Sequence, residues 1–232
     1  MTPAEFAAAL DARIAKYDLL CHPFYKAWSE GQLTRDDLRD YALDYHEHVK
    51  AFPTYLAELA VRLEDGETRR AVLANMTDEL GRSTAEPAHA ELWMDFAKGM
   101  GAHDKSKHQP IAEIMHLVSH FNEVASQGTT EEALAAFYAY ESQVPRIATE
   151  KERGLRAWYG ADDKTCRYFT LHSTADVYHA QVWRKLLEKN LETNPEAPQA
   201  MEKALAAAET AAKALWTALD GMEARRQAAI AA

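Results

Sequence analysis

The segment His172-Ser-Thr-Ala-Asp176-Val-Tyr-His179 sets two imidazoles and a carboxylate at i, i+4 and i+7. In a helix these side chains project within roughly 60° of one another, stacked along one face. Nitrogen and oxygen donors gathered in this way suit iron, manganese or zinc. An amphipathic helix with two structural histidines and a solvated aspartate has the same spacing, so the pattern gains weight only from donors on neighbouring elements. Glu141 is one: apolar Phe137 and Val144 flank it on its own helix face. A carboxylate aimed at a core is costly unless it is paired or binds a cation, and Arg146, Lys151 and Arg153 are the cations near it in sequence. Pro145 cannot donate to the Glu141 carbonyl, so the helix is expected to bend beside that carboxylate and open room there.

A second pair of donors lies earlier. Met76-Thr-Asp78-Glu79 ends one helix and His89 opens the next, so Glu79 and His89 can reach one site across a tight connection. Glu86 with His89 is the competing pair, although an acid at position 86 also suits a helix N-terminus. His116 and His120 share a helix face without a carboxylate, and His46 and His48 point to different faces. These four read as structural or surface histidines.

The elements that must position these groups are helical throughout, and no stretch alternates with period two. Thr2 caps a helix from Pro3 to about Tyr17, and Pro23 opens a short one over Phe24 to Ser29. Thr34, three residues before Asp37, starts a long segment to about Leu63, with a kink expected at Pro53. Further helices run over Glu67 to Leu80, near 86–99, from Pro110 to Ser126, from Thr129 to about Trp158, and from Asp162 or Asp163 to about Asn190. Residues 102–109 read as a loop. An alanine-rich helix follows Pro198 to about Leu219, and 222–232 is expected to fray. The expectation is a single all-α domain over 1–232, a bundle of seven to nine helices.

Composition narrows the function classes. The 232 residues are 47% hydrophobic, with a formal charge of −10, which argues against a nucleic-acid or anionic-membrane partner. Two cysteines are too few for a disulfide framework, no apolar run is long enough to span a membrane, and the N-terminus has no basic leader. The reading is a soluble, cytoplasmic protein.

Tyr140-Glu141-Ser-Gln-Val-Pro145-Arg-Ile-Ala, Lys151, His172-x3-Asp176-x2-His179, Ala51-Phe-Pro53, and His22-Pro-Phe-Tyr25 with Trp28 together resemble the haem-oxygenase-like dimetal oxidases. The resemblance is to the branch of the Chlamydia protein associating with death domains and its bacterial relatives, and it runs from about residue 15 to 190. It implies a haem-oxygenase-like bundle, related to TenA and PqqC architectures, that uses no haem. It further implies six metal ligands, Glu79, His89, Glu141, His172, Asp176 and His179, holding two ions, Fe/Fe or Fe/Mn. Tyr25 and Lys151 occupy the positions of the tyrosine and lysine that relatives consume to make para-aminobenzoate for folate. Dioxygen as co-substrate, an electron donor and a homodimer are implied as well. The connection between Glu79 and His89 is longer than in the chlamydial protein, which keeps Glu86 in play, and the C-terminus differs, so the death-domain interaction does not transfer.

Tyr41, Tyr45 and Tyr140 are candidates for a surrounding shell, or for carrying an electron between site and surface. Three other readings stand beside self-sacrifice. One is a dimetal oxygenase with an external small-molecule substrate, another a metal-containing interaction module. The last is a thiamin-type hydrolase with Cys166 as nucleophile, which leaves the six donors unexplained.

Overall fold

Short polar side chains start four of the helices by taking over backbone donors that a first turn leaves unpaired. Thr2 caps α1 (Pro3–Ala15), Thr34 caps α3 (Arg35–Arg62) and Thr129 caps α7 (Thr130–Glu141), each in a reciprocal capping box closed by Glu5, Asp37 and Glu132. Asp162 accepts the Thr165 N–H and starts α9 (Asp163–Thr193). A computed structural model describes residues 1–83, 85–103 and 108–231. Its remaining helices are α2 (Pro23–Ser29), α4 (Glu67–Leu80), α5 (His89–Gly99), α6 (Ala112–Gln127), α8 (Val144–Tyr159) and α10 (Ala197–Ile230), with a 3₁₀ turn over Leu19–Cys21. No strand occurs among the described residues. The expected loops around Thr84 and 104–107 fall partly outside them.

Three elements differ from the sequence reading. The segment expected to run as one bent helix from Thr129 to Trp158 is two helices, α7 and α8, broken at Ser142 and Gln143. Pro145 cannot continue the α7 ladder, and Gln143 holds the break by accepting the Leu19 N–H through its side-chain oxygen at 3.1 Å. Next, α5 begins at His89, because Glu86 and Pro87 belong to a loop folded back on Gly81. Gly81 has φ +71°, and a Cβ there would lie 2.5 Å from the Ala88 nitrogen, so only glycine suits this corner. Finally, α10 continues to Ile230, where a frayed tail was expected. Met222 is buried, Arg225 pairs with buried Asp44 at 2.6 Å, and Arg226 pairs with Glu223, so this last stretch has partners.

The buried apolar side chains form one cluster, with Trp28, Trp93 and Trp183 among its largest members. Within it α9 packs against α5, α7 and α8, while α10 covers α7, α6 and α1. No helix is long and apolar enough to cross a membrane among the described residues.

The small helix α2 meets α8 through Trp28, and the approach is close because position 154 is glycine. A Cβ at Gly154 would lie 2.9 Å from Trp28 Cδ1 and 3.2 Å from the Trp28 carbonyl oxygen. Gly154→Ala is therefore expected to lose about 1–3 kcal/mol of stability through overpacking. Urea unfolding checks this; a variant as stable as the parent would mean that α2 shifts freely.

Candidate metal centre and aromatic cavity

Glu79 at the end of α4, His89 at the start of α5, Glu141 at the end of α7, and His172, Asp176 and His179 on α9 converge in the core, all buried. Their donor atoms fall into two overlapping groups. Glu79, His89 and His172 lie within 4.8 Å of one another, and so do Glu79, Glu141 and His179. Glu79 belongs to both. Asp176 lies beside the second group, with Oδ1 3.2 Å from His179 Nδ1.

The finer geometry assigns nitrogens. His172 Nδ1 donates to the Tyr168 carbonyl at 2.7 Å, which leaves Nε2 as the lone-pair nitrogen, 3.0 Å from His89 Nδ1. His89 Nδ1 also lies 2.8 Å from Glu79 Oε2. The Trp183 indole N–H donates to Glu141 and orients that carboxylate.

Glu86, the alternative donor, is exposed and lies on the wall of an open pocket of about 370 Å³ that also touches His89 and His179. His46, His48, His116 and His120 stay outside both groups. His48 is fully buried among Tyr45, Phe52, Tyr55, Phe121 and Tyr140, and burial drops its pKa to about 3. Cys166 is buried, and burial raises its thiol pKa, the opposite of an activated nucleophile.

Electrostatics explain what this cluster suits. Burial, reinforced by Asp176, pushes the Glu141 carboxyl well above its usual range. Burial acts upward on Glu79 too, but the nearby His89 outweighs it and holds Glu79 low. Burial opposes charge on His179, yet Asp176 and Glu141 lift it to about 9. Among the described residues the ionic partners of Glu79, Glu141 and Asp176 are histidines, not lysines or arginines. Three buried carboxylates with three imidazoles, two donor groups and no fixed cation fit two small divalent ions.

The other half of the site is uncharged. Lys151 Nζ, on α8, donates to Tyr25 Oη at 2.8 Å and to Tyr41 Oη at 2.5 Å, and the two hydroxyls lie 3.0 Å apart. An unbent helix would carry Lys151 some 15 Å from Glu141; the break between α7 and α8 instead folds α8 back onto α2. Burial drives the Lys151 pKa well below the lysine range and the Tyr25 and Tyr41 pKa values well above the phenol range, so the hydroxyls stay neutral and the amine is biased toward its neutral form. Tyr25, Tyr45, Trp93, Tyr140, Lys151 and Tyr168 line a cavity of about 20 Å³, room for roughly one water-sized molecule.

Aromatic rings join the two halves. The His172 ring stacks on Tyr168 at 3.9 Å, Tyr168 meets Trp93 at 4.8 Å, and Trp93 lies 5.3 Å from Tyr45 and 5.8 Å from Tyr41. Tyr168, Trp93 and Trp183 were not singled out from sequence. Each lies four residues from a candidate ligand (His172, His89 and His179), on the same helix face, and that spacing was the available signal.

Comparison with known proteins follows the geometry. Residues 39–213 match the family described as iron-containing redox enzymes. A 4-aminobenzoate synthase of Nitrosomonas europaea is 38% identical, over 96% of this chain and 92% of its own length. That of Chlamydia muridarum is 39% identical, over 79% of this chain and 78% of its own. A TenA homologue from Pseudomonas syringae shares the fold with a TM-score of 0.76 at 18% identity, covering 96% of this chain and 95% of its own. A CADD-like protein from Nostoc punctiforme does so with a TM-score of 0.72 at 15% identity, covering 94% and 99%.

Because Glu79 belongs to both donor groups, Glu79→Ala is expected to weaken both metals at least ~10-fold, whereas Glu86→Ala leaves loading unchanged. Metal analysis after anaerobic reconstitution decides, and the reverse pattern transfers the role to Glu86. A second expectation concerns Lys151, a base with a depressed pKa in the fold. The unfolded chain binds a proton that the native chain does not, so stability rises with pH from that depressed value up to the ordinary 10.5. Lys151→Met should add about 1–3 kcal/mol near neutral pH and flatten that rise. Unfolding curves at several pH values test this; an unchanged slope would show that the amine is protonated in the fold.

Proposed function

The chain belongs to the family of iron-containing redox enzymes, and on that premise we propose that it makes 4-aminobenzoate from its own side chains. Tyr25 supplies the ring and Lys151 the nitrogen. The observation that carries this reading is the 2.8 Å contact between Lys151 Nζ and Tyr25 Oη, in a cavity of about 20 Å³. In tyrosine the hydroxyl is para to the side-chain carbon; in 4-aminobenzoate the nitrogen is para to the carboxyl carbon. A tyrosine ring can become the product ring only if nitrogen takes the hydroxyl position, the phenol oxygen leaving as water. The Tyr25 Cα–Cβ and Lys151 Cε–Nζ bonds break, and Cβ is oxidised by dioxygen to the carboxyl carbon. The amine lies against that hydroxyl. Burial favours the neutral form of the amine, the form whose lone pair is available. A separate aromatic substrate has no room beside it. The 4-aminobenzoate synthases to which the chain is similar support the same product.

Glu79, His89, Glu141, His172, Asp176 and His179 hold the metal ions, iron alone or iron with manganese. When bound, these supply oxidation by dioxygen, with an electron donor completing the balance. The chain's own groups do the rest. Tyr41 fixes the amine from its other side and holds the Tyr25 hydroxyl. Tyr45, Trp93, Tyr140 and Tyr168 exclude water and close the distance between cavity and ligands. Each chain reacts once. The same reading has the chain in the cytoplasm as a homodimer.

A second reading, an oxygenase with an external small-molecule substrate, draws on the open pocket of about 370 Å³ that touches His89 and His179. Isotopes separate the two. Protein grown on ring-¹³C tyrosine and ¹⁵N lysine, metal-loaded without air and then exposed to it, is expected to release product carrying both labels, at most one molecule per chain. Tyr25→Phe and Lys151→Met should release none. An unlabelled ring, or many products per chain, would establish the external-substrate enzyme instead.

A further inference from the structure

Tyr25 reaches the cavity from a helix of only seven residues, and the start of that helix is held from outside the cavity. His22, the residue before α2, accepts the Phe24 N–H on its ring Nδ1 at 3.1 Å. A nitrogen that accepts is unprotonated, so in the neutral ring the proton sits on Nε2. That nitrogen faces Asp220 Oδ1 on α10 at 3.1 Å. The Trp216 ring, one turn earlier on α10, meets the imidazole edge-on at 4.7 Å between centroids. The imidazole is 1% exposed, and burial lowers its pKa against the pull of Asp220 and Glu223, which favours the neutral form that the acceptor on Nδ1 needs. Trp216 and Asp220 lie beyond residue 213, where the family match ends.

We propose that His22, Trp216 and Asp220 form a latch through which the C-terminal helix sets the position of Tyr25. All three are positioning residues, remote from the reacting atoms. The proposal rests on the reading that Tyr25 is the ring that reacts. The Asp220 side chain is 58% exposed, so its charge is screened and adds little. What Asp220 contributes is direction: it fixes the Nε2 proton and with it the acceptor on Nδ1. A misplacement of about 1 Å at reacting groups can cost about 100-fold in rate, and the latch acts at the first turn of α2, directly before Phe24 and Tyr25.

The test uses full-length protein reconstituted with metal, in four variants. Asp220→Asn keeps an acceptor for Nε2 without charge, and Asp220→Ala removes it. His22→Asn keeps a cap but cannot reach Asp220, and His22→Ala loses both. Hydrogen exchange at the α2 amides, measured without dioxygen, should speed up about 10-fold in Asp220→Ala and more in His22→Ala. Tyr25 consumption after air should slow about 10-fold in Asp220→Ala and in His22→Asn. Asp220→Asn should behave like the parent, and metal content should not change in any of them. Parental exchange and parental Tyr25 consumption in both Asp220→Ala and His22→Asn would overturn the latch. Because Asp220 is at the surface, its variants keep the test decisive even if His22→Ala fails to fold. If the parent makes product without losing Tyr25, the self-sacrifice reading fails, and the exchange data still decide whether α10 holds α2.

Discussion

Lys151 ends in a box of aromatic side chains, bonded to two tyrosine hydroxyls, and no carboxylate among the described residues pairs with it. Two effects compete there. Ring faces of Tyr25, Tyr41 and Trp28 lie 4.2 to 5.2 Å from Nζ and would attract an ammonium group, an effect worth about 0.5–2 kcal/mol. Removing an ammonium ion from water costs several kcal/mol even after the protein relaxes. Desolvation wins, and the lysine pKa falls well below its ordinary range. The packing around it follows from that constraint, since bulk hydration of the box would favour the ammonium form. The glycine at 154, the small cavity of about 20 Å³ and the buried lining side chains all serve it.

At the other end of the same core the balance reverses. Glu79, Glu141 and Asp176 crowd three buried carboxyl groups among three histidines, and burial with Asp176 nearby holds the Glu141 carboxyl well above its usual range, a shift that a bound cation would reverse. One helix spans both regimes: α9 presents Tyr168 and Phe169 to the neutral box and His172, Asp176 and His179 to the charged cluster. The stack of His172 on Tyr168, continued by Trp93, makes them a single site. A carboxylate beside Lys151 would favour its charged form, and an ammonium among the carboxylates would compete with a cation there, so the two ends are kept apart.

Much of this was legible in the sequence. Caps at Thr2, Thr34, Thr129 and Asp162 announce helix starts through local chemistry, and the i, i+4, i+7 spacing of His172, Asp176 and His179 announces a face. Other features depend on contacts distant in sequence. Pro145 signals a bend, but the size of the turn between α7 and α8 depends on Gln143 meeting Leu19, and Lys151 lands beside Tyr25 only because of that turn. The continuation of α10 to Ile230 depends on Asp44 and other partners far away in the chain. Tyr168, Trp93 and Trp183 look like ordinary core aromatics until their distance of four residues from a candidate ligand is noticed.

The central claim is that one protein molecule is both catalyst and substrate. Peptide mapping tests it most directly, by counting in one aerated, metal-loaded sample the chains with residue 25 altered, the chains with residue 151 altered, and the 4-aminobenzoate released. The account predicts that the three quantities rise together in equal amounts and stop when the chains are spent. Product accumulating while residues 25 and 151 stay intact would contradict it.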